Sequence, residues 1–498
     1  MTISFSAVPS NTLVPLFYAE MDNSAANTAV TSAPALLIGH AGNDAAIEVN
    51  SLVLMPSADY ARQICGAGSQ LARMVEVYRQ TDPFGELYVI AVPEAKGAAA
   101  TVRVTVTGEA EESGTLSLYV GRSRVQVPVV NGDNATAVAT AIKEAVNGVI
   151  TLPFTASSDA GVVTLTARHK GLYGNELPVC LNYYGSGGGE ILPAGLQVVT
   201  EAGTVGSGAP DLTAAVAAMG DEVFDFIGLP FNDAASINMM MTEMNDSSGR
   251  WSYARQLYGH VYTAKLGTLS ELVGAGDMHN QQHITLVGYE KETQSPVDEL
   301  VASRLAREAV FIRNDPARPT QTGELVGMLP APKGKRFIMT EQQTLLSHGV
   351  ATAYVEGGTL RIQRSVTTYK KNAYGVADNS YLDSETLHTS AYVLRKLKSV
   401  ITSKYGRHKL ANDGTRFGPG QAIVTPAVIK GELLATYRQM ERAGIVENYD
   451  LFKQYLIVER DADNPNRLNT LFPPDYVNQL RVFAVVNQFR LQYSEESA

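Results

Sequence analysis

The chain has 498 residues, of which 45% are hydrophobic and 18% charged, so it is no disordered polypeptide and has material for roughly two to four folded domains. Its formal net charge of −10 argues against general nucleic-acid binding, which needs a basic footprint. Two cysteines, Cys65 and Cys180, cannot build a disulfide framework and suit a reducing compartment.

Residues 1–30 hold no Lys or Arg, and Glu20 and Asp22 are their acids. Ile3, Phe5 and Ala7 alternate with serines as in a short strand, and Pro9 and Pro15 keep the segment extended, so an arm without a local partner is expected. No basic stretch followed by an apolar core opens the sequence, and no apolar run reaches about 18 residues. Synthesis in a cytosol, without a signal peptide or direct membrane insertion, is expected.

From Ala33 the texture changes. Apolar runs at 35–39, 87–92, 224–228 and 284–288 read as buried strands. Helices are expected at 57–64, 71–79, 211–219, 233–244 and from Ser295-Pro296 to about Phe311, with Ser295 as N-cap and Pro296 at the first helical position. This alternation implies a largely parallel sheet covered on both faces. It is interrupted between 97 and 208, where 101–107, 115–120, 125–130 and 162–166 alternate like antiparallel strands around one helix, 135–147.

A hairpin follows at 350–368, turning at Gly357-Gly358, and then a basic helix at 387–405. Thr425-Pro426 opens a helix with Ile429, Leu433, Leu434, Tyr437 and Met440 as its apolar stripe and Gly444 at its end. A short strand is expected at 455–459.

The segment from Arg481 reads as one long strand. Phe483, Val485, Phe489, Leu491 and Tyr493 share one face; Val482, Ala484 and Val486 lead the other, which turns polar at Gln488, Arg490 and Gln492. Thirteen such residues span roughly 43 Å. Two readings stand: the strand completes a sheet of its own domain, or it is donated to a neighbouring copy. The equally partnerless N-terminal segment favours donation.

The fold class expected is mixed α/β: a parallel-type α/β core (31–96 and 209–360), an inserted, mostly β peripheral domain (97–208), a compact α+β C-terminal domain (361–479), and extended arms at 1–30 and 480–498.

Chemistry is sparse. The glycine-rich 66–69 and 185–189 lack a phosphate-loop Lys and dinucleotide spacing, and 461–466 lacks the glycine and glutamate of a calcium loop. His279 and His283 have helical spacing but no third ligand. No catalytic, cofactor or metal site is expected. Segment 361–420 carries eleven Lys/Arg against four acids, a local surplus of seven. It is either a solvated face or a contact for an acidic partner surface.

Several short motifs, in order, carry a resemblance: Val8-Pro-Ser-Asn11, Val14-Pro-Leu16 and Asp22-Asn-Ser24 at the start, Gly171-Leu-Tyr-Gly-Asn175 within the insertion, and Phe472-Pro-Pro-Asp475 followed by 480–493 at the end. With the two arms, the chain resembles the tail sheath proteins of contractile-tailed phages, the Mu-like group. The resemblance implies a structural subunit, not an enzyme, stacking as hexameric rings around a tail tube, with baseplate and tail terminator proteins as further partners. Its place is the virion tail, assembled in the host cytoplasm, where contraction drives the tube through the envelope for genome delivery. Strand addition would run through Ile3, Phe5, Phe483, Val485, Phe489, Leu491 and Tyr493; Arg395, Lys396, Lys398, Lys404 and Arg407 are the candidate tube contacts. The alternatives are a related contractile injection system, such as a secretion apparatus or bacteriocin, and an α/β hydrolase-type enzyme.

Overall fold

A computed structural model describes residues 33–418 and 420–491; Ile3, Phe5 and Tyr493 lie outside them. In chain order the first elements are β1 (Ala35–His40), β2 (Leu52–Leu54), α1 (Ala58–Cys65), α2 (Gln70–Thr81) and β3 (Leu87–Val92). The inserted part follows as β4 (Ala99–Gly108), β5 (Gly114–Val120), β6 (Ser123–Val129), α3 (Ala135–Gly148), β7 (Phe154–Asp159), β8 (Val162–Lys170), β9 (Val179–Leu181) and β10 (Leu196–Ala202). The core resumes with α4 (Thr213–Ala218), β11 (Phe226–Gly228), α5 (Ala234–Met244), β12 (His260–Gly267), α6 (Leu269–Asp277), β13 (Ile284–Glu290), α7 (Val297–Asn314), α8 (Met339–Ser347), β14 (Val350–Glu356) and β15 (Thr359–Arg364). Last come α9 (Ser384–Tyr405), β16 (Lys409–Leu410), β17 (Ile423–Val424), α10 (Pro426–Arg442), α11 (Tyr449–Tyr455), β18 (Ile457–Arg460) and β19 (Leu468–Leu471).

The core sheet runs β15-β14-β13-β12-β11-β1-β3-β2. Its six inner strands are parallel, and the edges β2 and β15 are antiparallel. Strand β1 is buried throughout, as a strand covered on both faces must be. Helices α2 and α7 pack on one face through Leu71, Val75, Leu300, Val301 and Leu305, and α4 and α5 cover the other through Ala215, Ile237 and Met240. Between α2 and α7 lies a buried ion triad: Arg73 donates to Glu299 at 2.8 Å and pairs with Asp298.

The inserted part is two antiparallel sheets, β10-β4-β8-β7 and β6-β5-β9, closed over α3 by Val104, Leu118, Val127, Ile142 and Phe154. Its single α-helix lies where periodicity places it, with Asn134 as N-cap.

The start of α7 departs from expectation. Pro296, not Ser295, is the N-cap, and the helix begins at Val297. The Ser295 hydroxyl is used elsewhere, accepting from the Leu329 amide at 2.7 Å. Asp298 and Glu299 in the first turn supply the charge that suits a helix N-terminus instead.

Candidate assembly surfaces

In an open parallel sheet, ligands sit where strand order reverses, beyond the carboxyl ends of the strands. Here that point lies between β1 and β11. The turn Leu172–Glu176 of the inserted part fills it: Tyr173 and His169 pack against His40, and His40 meets Phe231 edge-on at 5.0 Å. A cavity of about 20 Å³ remains, room for one water. Burial, with repulsion from His169, lowers the His40 pKa to about 4. The turn is stitched to the crossing linkers: Gly171 N–H donates to Ala98 O, Leu172 N–H to Gly208 O, and the Asn175 amide both donates to and accepts from Gly206. Gly171 has φ 117°, and a Cβ there would crowd Ala95 and Gly208 at 3.1 Å. The motif is thus a backbone junction, and among the described residues no cluster of potential metal ligands occurs.

The basic helix α9 divides into two parts. Its first half is docked on the core sheet. His388 accepts or donates at 3.1 Å with the Tyr262 hydroxyl and stacks on Phe226. Burial and the nearby Arg395 charge lower its pKa to about 3. Arg395, one of the candidate tube contacts, is turned inward. It pairs with buried Asp225, donates to Leu257 O at 3.2 Å, and sits over the Tyr258 ring. Burial raises the Asp225 pKa despite the opposing arginine. The outward half carries the other four cations. Lys404 pairs with Glu432 of α10 at 2.6 Å. Lys396 is half-buried, Lys398 and Arg407 are exposed, and none of these three has an ion-pair partner among the described residues.

The end of the chain holds an unfinished sheet. Strands β18 and β19 pair antiparallel from Ile457↔Leu471 to Arg460↔Leu468, and no further strand joins them among the described residues. Helix α10 supports them through Leu433, Tyr437 and Met440, and the Tyr437 ring stacks on Phe452 at 3.7 Å. Ile457 and Leu471 stay exposed. A two-stranded sheet is marginal alone, and each strand keeps one open edge.

Residues 475–477 are sewn to the body. Glu447 N–H donates to Asp475 O, and Val477 N–H to Ile445 O. Beyond Arg481 the chain leaves it. Residues 482–491, expected as part of a long strand, form no strand and join no ladder among the described residues. Phe483 is 81% exposed, Val486 93% and Leu491 97%. Sequence reasoning missed β19 and the anchorage of the arm's root. The signal for the anchor was Arg481 heading an otherwise apolar run, together with the acids Asp383 and Glu385 opening α9.

Three family models match in sequence: phage tail sheath protein beta-sandwich domain at residues 95–197, central domain at 206–368, and C-terminal domain at 376–490. The Mu-like prophage FluMu tail sheath protein of Haemophilus influenzae is 37% identical over 495 residues, covering 99% of this chain and 100% of that protein. The crystal structure of the sheath tail protein from Desulfitobacterium hafniense superposes with TM-score 0.51 at 11% identity, covering 94% of this chain and 97% of that one, a likeness of fold. The chain belongs to the phage tail sheath proteins, in the Mu-like group, and is a structural subunit of a contractile tail sheath.

Proposed function

We propose that residues 482–498 add a strand to the β18–β19 sheet of a neighbouring copy, and that this pairing links subunits into hexameric rings stacked around a tail tube. The carrying observation is the match within one molecule of an exposed, alternating apolar segment and a two-stranded sheet with open edges. Strand addition supplies backbone hydrogen bonds for strength and alternate side chains for register. Phe483, Val485, Phe489 and Leu491 would bury on the receptor, and Ile3 and Phe5 would act likewise from the other arm.

In this reading the α/β core turns as a rigid body while the arms bend, which is what a lattice moving between extended and contracted forms requires. Segment 361–479 faces the tube through Lys396, Lys398, Lys404 and Arg407, and 97–208 lies at the periphery. Baseplate and terminator proteins contact the ends of the array. Assembly takes place in the host cytoplasm, and contraction drives the tube through the envelope.

The test is electron microscopy of the purified full chain beside a chain ending at Arg481. The full chain should form hollow tubes of repeating rings, and the shortened one should stay dispersed with an unchanged circular-dichroism spectrum. Tubes from the shortened chain would refute strand donation.

A further inference from the structure

The root of the C-terminal arm enters a built ionic socket. The Arg481 guanidinium, 12% exposed, lies 3.1 Å from Glu385 Oε1 and 3.3 Å from Asp383 Oδ1. Glu385 is fully buried and also accepts from the Thr320 amide and hydroxyl, both at 3.0 Å. Asp383 is held by a two-pronged contact from Arg364, at 2.8 and 2.9 Å. Behind them, on α7, Glu308 accepts from Ser365 and lies 3.5 Å from Arg304, and Tyr262 of β12 closes the cluster. Two glutamines fasten the chain just before Arg481: Gln321 donates to Leu480 O and Gln479 donates to Ala317 O.

Three acids (Glu308, Asp383, Glu385) thus face three arginines (Arg304, Arg364, Arg481), and two of the arginines belong to the folded body. The third is lent by the arm. Buried charges hold together only while they are matched, and removing one partner leaves the others uncompensated. The adjoining cleft is lined by Asn379, Asp383, Thr386 and residues 475–479, so the guanidinium has an open path outward.

We infer that Arg481 is the anchoring counter-ion of the C-terminal arm: it pins the root in a socket formed by Asp383 and Glu385, so that the movable donor segment begins at Val482. The inference deepens the strand-donation reading and rests on it for the arm's purpose. The socket keeps the arm's exit direction constant while the distal segment follows a neighbour. It also sets the donor's reach, because the residues before Val482 are not available to stretch.

The experiment compares full-length proteins by thermal melting and electron microscopy: the parent, Arg481→Gln, Arg481→Lys, and the triple change Phe483→Ser, Val485→Ser, Phe489→Ser. Arg481→Gln in the background of the triple change compares the anchor in unassembled protein. Arg481→Gln should lower Tm by about 5 °C or more at pH 8. That deficit should shrink as pH falls toward 5, because Glu308, whose pKa burial lifts to about 7, takes up a proton and relieves a cluster left one positive charge short; Asp383, Glu385, Arg304, Arg364 and Tyr262 are the charged and titratable groups around it. Arg481→Lys should recover part of the loss. The triple change should abolish tubes, so the anchor's deficit is read between the triple variant and the triple variant carrying Arg481→Gln, both unassembled. A triple variant whose Tm is unchanged at every pH when Arg481→Gln is added overturns the anchor. Tubes from the triple variant would instead defeat strand donation and leave the anchor's melting test standing.

Discussion

The core sheet and the β18–β19 sheet are built to opposite rules. In the core, six parallel strands are sealed by helices on both faces and by antiparallel strands at both edges, and β1 and β13 are buried from end to end. In the C-terminal sheet, two four-residue strands rest on α10, with Ile457 and Leu471 exposed and both outer edges open among the described residues. In the strand-donation reading, the part closed on itself is the one that turns as a body, and the part left unfinished is the one a neighbour would complete.

The largest break in that contrast should come from the arm. Phe483→Asp with Phe489→Asp changes side chains that are mostly in water, so the monomer's stability should move by less than about 0.5 kcal/mol in urea titration. Tube formation, read by sedimentation and electron microscopy, should be lost. The core should behave in reverse. Arg73→Ala strands Asp298, whose side chain is 0% exposed, and leaves Glu299 to Arg122 alone, and should cost about 3–5 kcal/mol in chemical denaturation.

Acidity sharpens the comparison. His388 has a pKa lowered to about 3 in the folded chain, below its unfolded value near 6.5. Unfolding therefore takes up a proton below pH 6.5. The neutral imidazole's contribution is complete above that pH and drains away as pH falls toward 3, by about 2 kcal/mol at pH 5. His388→Gln should flatten this part of the Tm-versus-pH curve between 7 and 5. Opposing it, burial lifts the Glu308 pKa to about 7, with Glu385 adding to the lift and Arg304 resisting it. That contribution is complete below about 4.5 and is lost as pH rises through 7, so the parent curve sums the two and the variant isolates one.

The smallest effect on the fold should follow Lys396→Glu with Lys398→Glu. These cations have no ion-pair partner among the described residues, so Tm should stay within about a degree and the chain should still polymerise alone. Binding to purified tube protein should weaken. Unchanged tube binding would remove this face from the interface.

What the sequence revealed follows from the kind of burial involved. Strands such as Leu87–Val92 and Ile284–Glu290 are covered on both sides, so each reads as an apolar run. The alternating strands of the insertion and the stripe of α10 were legible for a similar reason, through their periods. Strand β7, Phe154–Asp159, is mostly polar after its first residue, and β19, Leu468–Leu471, is four residues long with Asn and Thr at its centre; neither offers a countable period. The inward turn of Arg395 was not legible, because its partner Asp225 stands 170 residues earlier and nothing local marks which basic residues of a helix turn inward. Ser295 misled because the cap rule is statistical and Leu329 claimed the hydroxyl first. The arm's alternation was plain in the residues, yet the socket holding Arg481 draws on five separate segments and exists only after folding.

The plug at the strand-order reversal has a mechanical consequence. Gly171 is bonded to Ala98, Leu172 to Gly208 and Asn175 to Gly206, so the two linkers and the plug form one knot of backbone bonds seated in the sheet's crevice. A pull on the inserted part would reach the core through that knot as well as through the two linkers.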